Sequence, residues 1–147
     1  MRIPIAYMNE IMLERTMKKL ILTILLLLPG LSLADDDRAL ASVTAWLQLV
    51  DSGAYAQSWE QSAPMFQQQI SSEGWRAALK SVRQPLGSVI SRDVESRSEH
   101  NTLPGAPDGE YVVVTMASSF EHKARATETI TFARVGGEWR AVGYFIK

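Results

Sequence analysis

Two adjacent glycines, Gly136-Gly137, lie between two runs dense in β-branched and aromatic residues, and they constrain this chain more than any other feature. Glycine supplies the positive φ angles that a tight hairpin turn demands. On either side lie Thr127-Glu128-Thr129-Ile130-Thr131-Phe132-Ala133 and Trp139-Arg140-Ala141-Val142-Gly143-Tyr144-Phe145-Ile146. A third run, Tyr111-Val112-Val113-Val114-Thr115-Met116, precedes them. Such residues suit a pleated, half-buried surface, so residues 110–147 read as an antiparallel meander. One face of that sheet needs a cover, and the helical patterns for it lie upstream.

Leu40, Val43, Leu47 and Val50 recur at spacings of three and four, an amphipathic helix. Asp35-Asp36-Asp37 is expected to cap its start, Ser52-Gly53 to end it, and Trp46 to pack at its margin. A short second helix is expected over residues 54–62, with Tyr55 and Trp59 on one face and Pro64 ending or redirecting it. A third starts near Ser71 or Ser72, with Ser72 expected as its cap and Trp75 as its first anchor, carries the stripe Trp75, Leu79 and Val82, and stops at Pro85-Leu86-Gly87. Residues 89–103 are polar and alternating, an expected edge strand whose charges discourage edge-to-edge pairing. Residues 104–109, rich in Pro and Gly, read as a loop. The fold class expected is α+β: N-terminal helices packed on a curved antiparallel sheet of about four strands, cone-like, in a single domain over 35–147.

The N-terminal region reads differently. Met17-Lys18-Lys19 is basic, residues 20–28 are apolar apart from Thr23, and Pro29-Gly30 then breaks the run. Ser32-Leu33-Ala34 offers small residues at the −3 and −1 positions of a cleavage site. This is the layout of a secretory signal peptide spanning 17–34, with cleavage before Asp35. Nine residues fall short of the ~20 a spanning helix needs, so no stable membrane anchor is expected after cleavage. Residues 1–16 carry Glu10 and Glu14 where basic residues belong, and they read as a mis-called leader, translation starting at Met17 rather than Met1. The mature chain is expected to be periplasmic or secreted.

Four of the 15 basic and two of the 16 acidic residues fall within 1–34, leaving 11 against 14 and a net charge of −3. That balance argues against nucleic acid as a partner, which calls for a basic face. The chain has no cysteine, which excludes disulfides, a lipid-anchored cysteine, a thiol nucleophile and thiolate metal sites.

In the last strand both alternate sets are apolar: Trp139, Ala141 and Phe145 on one side, Val142, Tyr144 and Ile146 on the other. A sheet with one wet face alternates more cleanly, so part of the second face is expected to be covered, by curling round a cavity or by a partner subunit.

Several segments resemble a family of small exported bacterial proteins catalogued as a domain of unknown function, number 4019. They are Asp51-Ser52-Gly53-Ala54-Tyr55-Ala56-Gln57-Ser58-Trp59-Glu60, Trp75, Arg83-Gln84-Pro85-Leu86-Gly87, Leu103-Pro104-Gly105, Asp108-Gly109-Glu110-Tyr111, Phe120 with Lys123, Glu138-Trp139-Arg140 and Gly143-Tyr144. The resemblance implies a nuclear-transport-factor-2-like or cystatin-like fold, with helices in the concave side of a curved sheet. It implies no activity, since the wider fold includes isomerases, dehydratases and non-catalytic binding or dimerising modules.

The chemistry-bearing residues are few. His100 and His122 stand alone, without the convergent ligands a metal needs, and neither metal nor cofactor is expected. No serine lies in a nucleophile motif, and no residue is assigned as catalytic. Lys123 and Glu128 flank an expected turn at 124–127 and are placed to pair across it. Asp51 and Glu128 are the carboxylates nearest apolar segments. Arg83 closes the third helix, where a cation suits the dipole, or where a guanidinium at a pocket mouth could grip an anion. With Trp59, Trp75 and Tyr144 as possible walls, Arg83 completes the set of candidate ligand-binding residues. The function expected is a non-catalytic module binding a small ligand or a protein partner. The alternatives are a pocket enzyme of isomerase or dehydratase type using a carboxylate base, and a structural homodimerisation module.

Overall fold

The structure, a computed structural model, describes residues 31–147. The expected leader and the signal segment up to residue 30 lie outside the described residues. The compact unit considered below is Asp35–Lys147. Its architecture is α+β, with helices preceding a four-stranded sheet: α1 (Leu31–Asp51), α2 (Tyr55–Glu60), α3 (Pro64–Gln69), α4 (Ser72–Arg83), a 3₁₀ turn (Gln84–Leu86), then β1 (Val89–His100), β2 (Tyr111–Phe120), β3 (Lys123–Val135) and β4 (Glu138–Ile146). The strands are antiparallel and in sequence order, β1-β2-β3-β4.

α1 starts earlier than expected. Neither Pro nor Gly interrupts Leu31–Asp51, so the helix runs through Asp35-Asp36-Asp37, which do not cap it. Asp35 instead accepts a hydrogen bond from Arg134 on β3 at 2.7 Å. The far end closes as a Schellman turn: Ala54 N donates to Leu49 O (2.9 Å), Gly53 N to Val50 O (3.2 Å), and Gly53 takes φ +78°. That turn fixes Asp51 in the last turn of α1.

Two further expectations need correction. Pro64 does not merely end a helix; it is the first residue of α3, where its missing N–H costs nothing. Val82 is 42% exposed while Arg83, its neighbour, is buried, so the inward stripe of α4 is Trp75, Leu79 and Arg83. In addition, Ser71 rather than the expected Ser72 caps α4, its hydroxyl accepting from Gly74 N at 3.1 Å, and Ser72 is the first residue of the helix.

The core lies between the helices and one face of the sheet. α1 contributes Ala39, Val43, Trp46, Leu47 and Val50; the sheet contributes Val112, Val114, Met116, Ile130, Phe132 and Ala141. Trp46 is 3% exposed and central rather than marginal, edge-on to Phe132 (6.0 Å) and Tyr144 (5.8 Å) and tilted against Trp75 (6.0 Å).

β2 and β3 alternate strictly over the core-facing stretch, and the hairpin between β3 and β4 turns on Gly136 (φ +60°) and Gly137 (φ +84°). The β2–β3 turn is at Glu121-His122, not at 124–127, because β3 extends back to Lys123, which faces Phe120. Its consequence is that Glu128 sits well inside the strand and does not pair with Lys123. The two-sided apolar pattern of β4 also has a local cause. Val142 is the extra residue of a bulge between the pairs Thr131↔Gly143 and Phe132↔Ala141. A bulge reverses side-chain parity, so Ala141 and Tyr144 share the core face while Phe145 turns outward, 60% exposed.

Candidate functional site

The inward face of the sheet carries a buried polar cluster drawn from six elements. Glu128 follows the alternation of Ile130 and Phe132 and is therefore on the core face, with no exposed surface. Directly beside it in the sheet run Met116 and Ile146, and Tyr144 pairs with Ile130 one step along the same face. Arg92, on edge strand β1, is opposite Ser118 on β2, and the small serine leaves room for the guanidinium to reach β3.

Every lone-pair direction of the Glu128 carboxylate is used. Oε2 accepts from Arg92 Nε and Ser118 Oγ, both at 2.5 Å; Oε1 accepts from Tyr144 Oη (2.5 Å) and Arg92 Nη2 (3.0 Å). The other edge of the Arg92 fork holds Asp51, through Nη1 to Oδ2 (2.8 Å) and Nη2 to Oδ1 (3.1 Å). Asp51 also receives Arg83 Nη2 at 2.8 Å, and Arg83 Nη1 donates to Tyr144 Oη at 3.4 Å. The chain of contacts Asp51–Arg92–Glu128–Tyr144–Arg83–Asp51 closes on itself. Two cations balance two anions, and Arg92 grips a carboxylate bidentately on each side.

Burial alone would raise both carboxyl groups, but the hydrogen bonds and charges outweigh it. Arg92, Ser118 and Tyr144 bring Glu128 below its usual range, and Arg92 and Arg83 do the same for Asp51. Burial, followed by the charge and hydrogen bond of Glu128, pushes the Tyr144 phenol well up. A general base works best with a pKa near the operating pH, and a nucleophile needs a free lone pair. Glu128 offers neither. This cluster fastens the ends of α1 and α4 to all four strands.

The sequence-predicted residues are distributed as follows. Arg83 and Tyr144 meet within the cluster, and Arg83, 5% exposed, lies with its guanidinium 4.9 Å over the Phe120 ring. Trp75 is in the core, its indole N–H donating to Ser58 Oγ (3.0 Å), while Trp46 donates to Ser58 O (2.8 Å). Trp59 donates to Ile70 O (2.8 Å), which ties α2 to the segment after α3. These three N–H groups are thus engaged in packing the helices. His122 is exposed in the β2–β3 turn, and among the described residues no group of three or more His, Cys, Asp or Glu is arranged to hold a metal ion. Arg92 and Ser118 were missed by sequence reasoning. The signal available was parity, and for Glu128 alone, in phase with Ile130 and Phe132; Ile90 and Val94, in phase with Arg92, are themselves 66% and 48% exposed.

The outward face is built otherwise. An open concavity of about 360 Å³ lies at the end nearest the β2–β3 turn. Its floor is small and hydroxyl-bearing: Ala117 and Ser119 on β2, Thr127 on β3, Ser91 on β1. Asp93 and Glu95 rise from β1 on one side, Arg125 and Lys147 on the other. One row runs straight across the sheet: Asp93 is opposite Ala117, Ala117 opposite Thr127, and Thr127 exchanges backbone hydrogen bonds with Lys147 (2.8 and 3.1 Å). All four charged residues are exposed, and among the described residues none of them has an ion-pair partner.

A search of curated proteins found no match to this chain. The family comparison did find one, and it spans both faces just described. The model for the family described as "Protein of unknown function (DUF4019)" matches residues 42–144, from within α1 to Tyr144 on β4. A match over well more than half of the chain makes this protein a member of the DUF4019 family.

Proposed function

We propose that this protein is an exported, non-catalytic module that binds a small ligand or a protein partner in the periplasm, through the outer face of its sheet. One observation carries the reading: the interior acids and bases are consumed by one another, whereas the outer concavity is rimmed by charges that have no ion-pair partner among the described residues. Its volume, about 360 Å³, falls within the range of small-molecule sites. Export rests on the signal-peptide pattern of residues 17–34. Among the described residues no helix is long and apolar enough to cross a membrane. Helices gathered on one face of a four-stranded antiparallel sheet support kinship with the nuclear-transport-factor-2-like or cystatin-like group.

The enzyme alternative draws on the Glu128–Tyr144 contact, a carboxylate facing a phenol. An ionised, fully hydrogen-bonded carboxylate weighs against it as a base. Dimerisation has one observation in its favour, Phe145, a large apolar side chain 60% exposed on the outer face.

A native mass spectrum of the protein purified from the periplasm tests the proposal. The expected species is a monomer beginning at Asp35 that retains extra mass. A clean dimer without extra mass would replace ligand binding with dimerisation, and a chain retaining residues 17–34 would remove cleavage before Asp35.

A further inference from the structure

The outer concavity has a polarity as well as a shape, and the polarity narrows what it can hold. Its acidic side, Asp93 and Glu95, and its basic side, Arg125 and Lys147, are separated by a floor of Ala117, Ser119 and Thr127. A purely anionic ligand would meet the carboxylates of β1, and a purely cationic one the Arg125 and Lys147 side. A ligand with an ammonium at one end and a carboxylate at the other satisfies both. Asp93 and Lys147 lie three strand spacings apart along one row, about 14 Å between Cα atoms. Two to four residues of extended peptide span about 7–14 Å. A free amino acid carries both charges on a single residue and cannot bridge the floor. The hydroxyls of Ser91, Ser119 and Thr127 are placed to bond a peptide backbone, and the floor offers no apolar pocket for a bulky side chain.

We propose that this concavity binds a short zwitterionic peptide, its amino terminus against Asp93 and Glu95 and its carboxylate against Arg125 and Lys147. The inference rests on the ligand-binding reading above and names the ligand class for the same site.

The test is a titration of the isotopically labelled protein, followed through the amide resonances of Ala117, Ser119 and Thr127. Four probes are compared: tri-alanine, N-acetyl-tri-alanine, tri-alanine amide and free alanine. Tri-alanine is expected to shift these resonances saturably, and blocking either terminus to weaken binding by about tenfold or more, the loss of a hydrogen-bonded charge. Free alanine is expected to bind at least as weakly as the blocked peptides. The double variant Asp93→Asn/Glu95→Gln should erase the distinction between free and acetylated peptide while keeping that between acid and amide. Arg125→Gln/Lys147→Gln should do the reverse. The proposal is overturned if tri-alanine at millimolar concentration moves none of these resonances, or if the blocked peptides bind as well as the free one. The two readings fail separately. Retained non-peptide mass with silent tri-alanine removes the peptide assignment and leaves ligand binding standing, whereas a ligand-free dimer with silent tri-alanine removes both.

Discussion

Arg92 and Asp93 are neighbours on β1, yet they meet opposite fates. Strand geometry sends Arg92 to the core face and Asp93 to the outer one. Inside, Arg92 joins Asp51, Arg83 and Glu128 in a set where each charge has a partner of opposite sign. Outside, Asp93 joins Glu95, Arg125 and Lys147, where the signs are kept apart and none has a partner among the described residues. The same residue types therefore do two jobs. Charges that close on one another hold elements together; charges left open across a groove are available to something that is not part of the chain.

The largest effect should come from opening the inner set. Glu128→Ala leaves Arg92 and Arg83 sharing the single carboxylate of Asp51 and the Tyr144 hydroxyl without its acceptor, and an uncompensated buried charge of this kind costs about 3–5 kcal/mol. Urea unfolding measures it. Arg92→Leu/Glu128→Leu should cost much less than the two single changes added together, because no uncompensated charge remains. If the losses simply add, the two groups are not coupled and the closed set dissolves into unrelated contacts.

The pH dependence of stability sharpens the same comparison. Asp51 and Glu128 have folded-state values below their ordinary 3.8 and 4.5, so at acid pH the unfolded chain binds more protons than the folded one. Their contribution is complete above those ordinary values and is lost as pH falls through the depressed ones. Glu128→Gln should flatten this acid limb. At the alkaline end the sign reverses. Tyr144 is raised above its ordinary 10.0, so the stabilisation is complete below pH 10 and declines as pH climbs from there toward the raised value. Tyr144→Phe should remove a phenolate absorbance step that accompanies unfolding at alkaline pH.

A smaller effect is expected at the joint between α4 and β1. Gly87 takes φ +72°, and a Cβ there would lie 2.5 Å from Glu121 Oε2 and 2.9 Å from Glu121 Cβ. That glutamate accepts the Ser88 N–H at 2.8 Å and so clasps the link that brings Arg83 and Arg92 to one place. Gly87→Ala should cost about 1–3 kcal/mol by unfolding, through strain and a displaced clasp. The smallest effect is reserved for the outer charges. Asp93→Asn, Glu95→Gln, Arg125→Gln and Lys147→Gln should leave the unfolding midpoint unmoved, because each removes an exposed charge that has no ion-pair partner among the described residues.

Local chemistry explains which parts were legible in the sequence. The β3–β4 hairpin could be read from Gly136-Gly137, the start of α4 to within one residue from Ser71-Ser72, and the edge position of β1 from its charges, because each depends on residues a few positions apart. The inner cluster depends on partners 32 to 41 residues apart, Arg83 and Arg92 with Asp51 and Arg92 with Glu128, and on strand register across β2. The period of two puts Glu128 in phase with Ile130 and Phe132, a signal the expected turn at 124–127 hid, and it could not say that Arg92 would be waiting there. The Val142 bulge was hidden for the same reason: an extra residue in one strand is defined only against its neighbour, and without it Phe145 reads as inward. The outer groove needs both the register and the knowledge that Asp93, Glu95, Arg125 and Lys147 find no ion-pair partners among the described residues.

The most direct test of this division of labour is a native mass spectrum of the variant with all four outer charges neutralised, beside the unaltered protein. The account predicts a monomer of unchanged folded charge-state distribution that has lost the retained mass carried by the unaltered protein. A variant that keeps that mass, or one that unfolds, would contradict it.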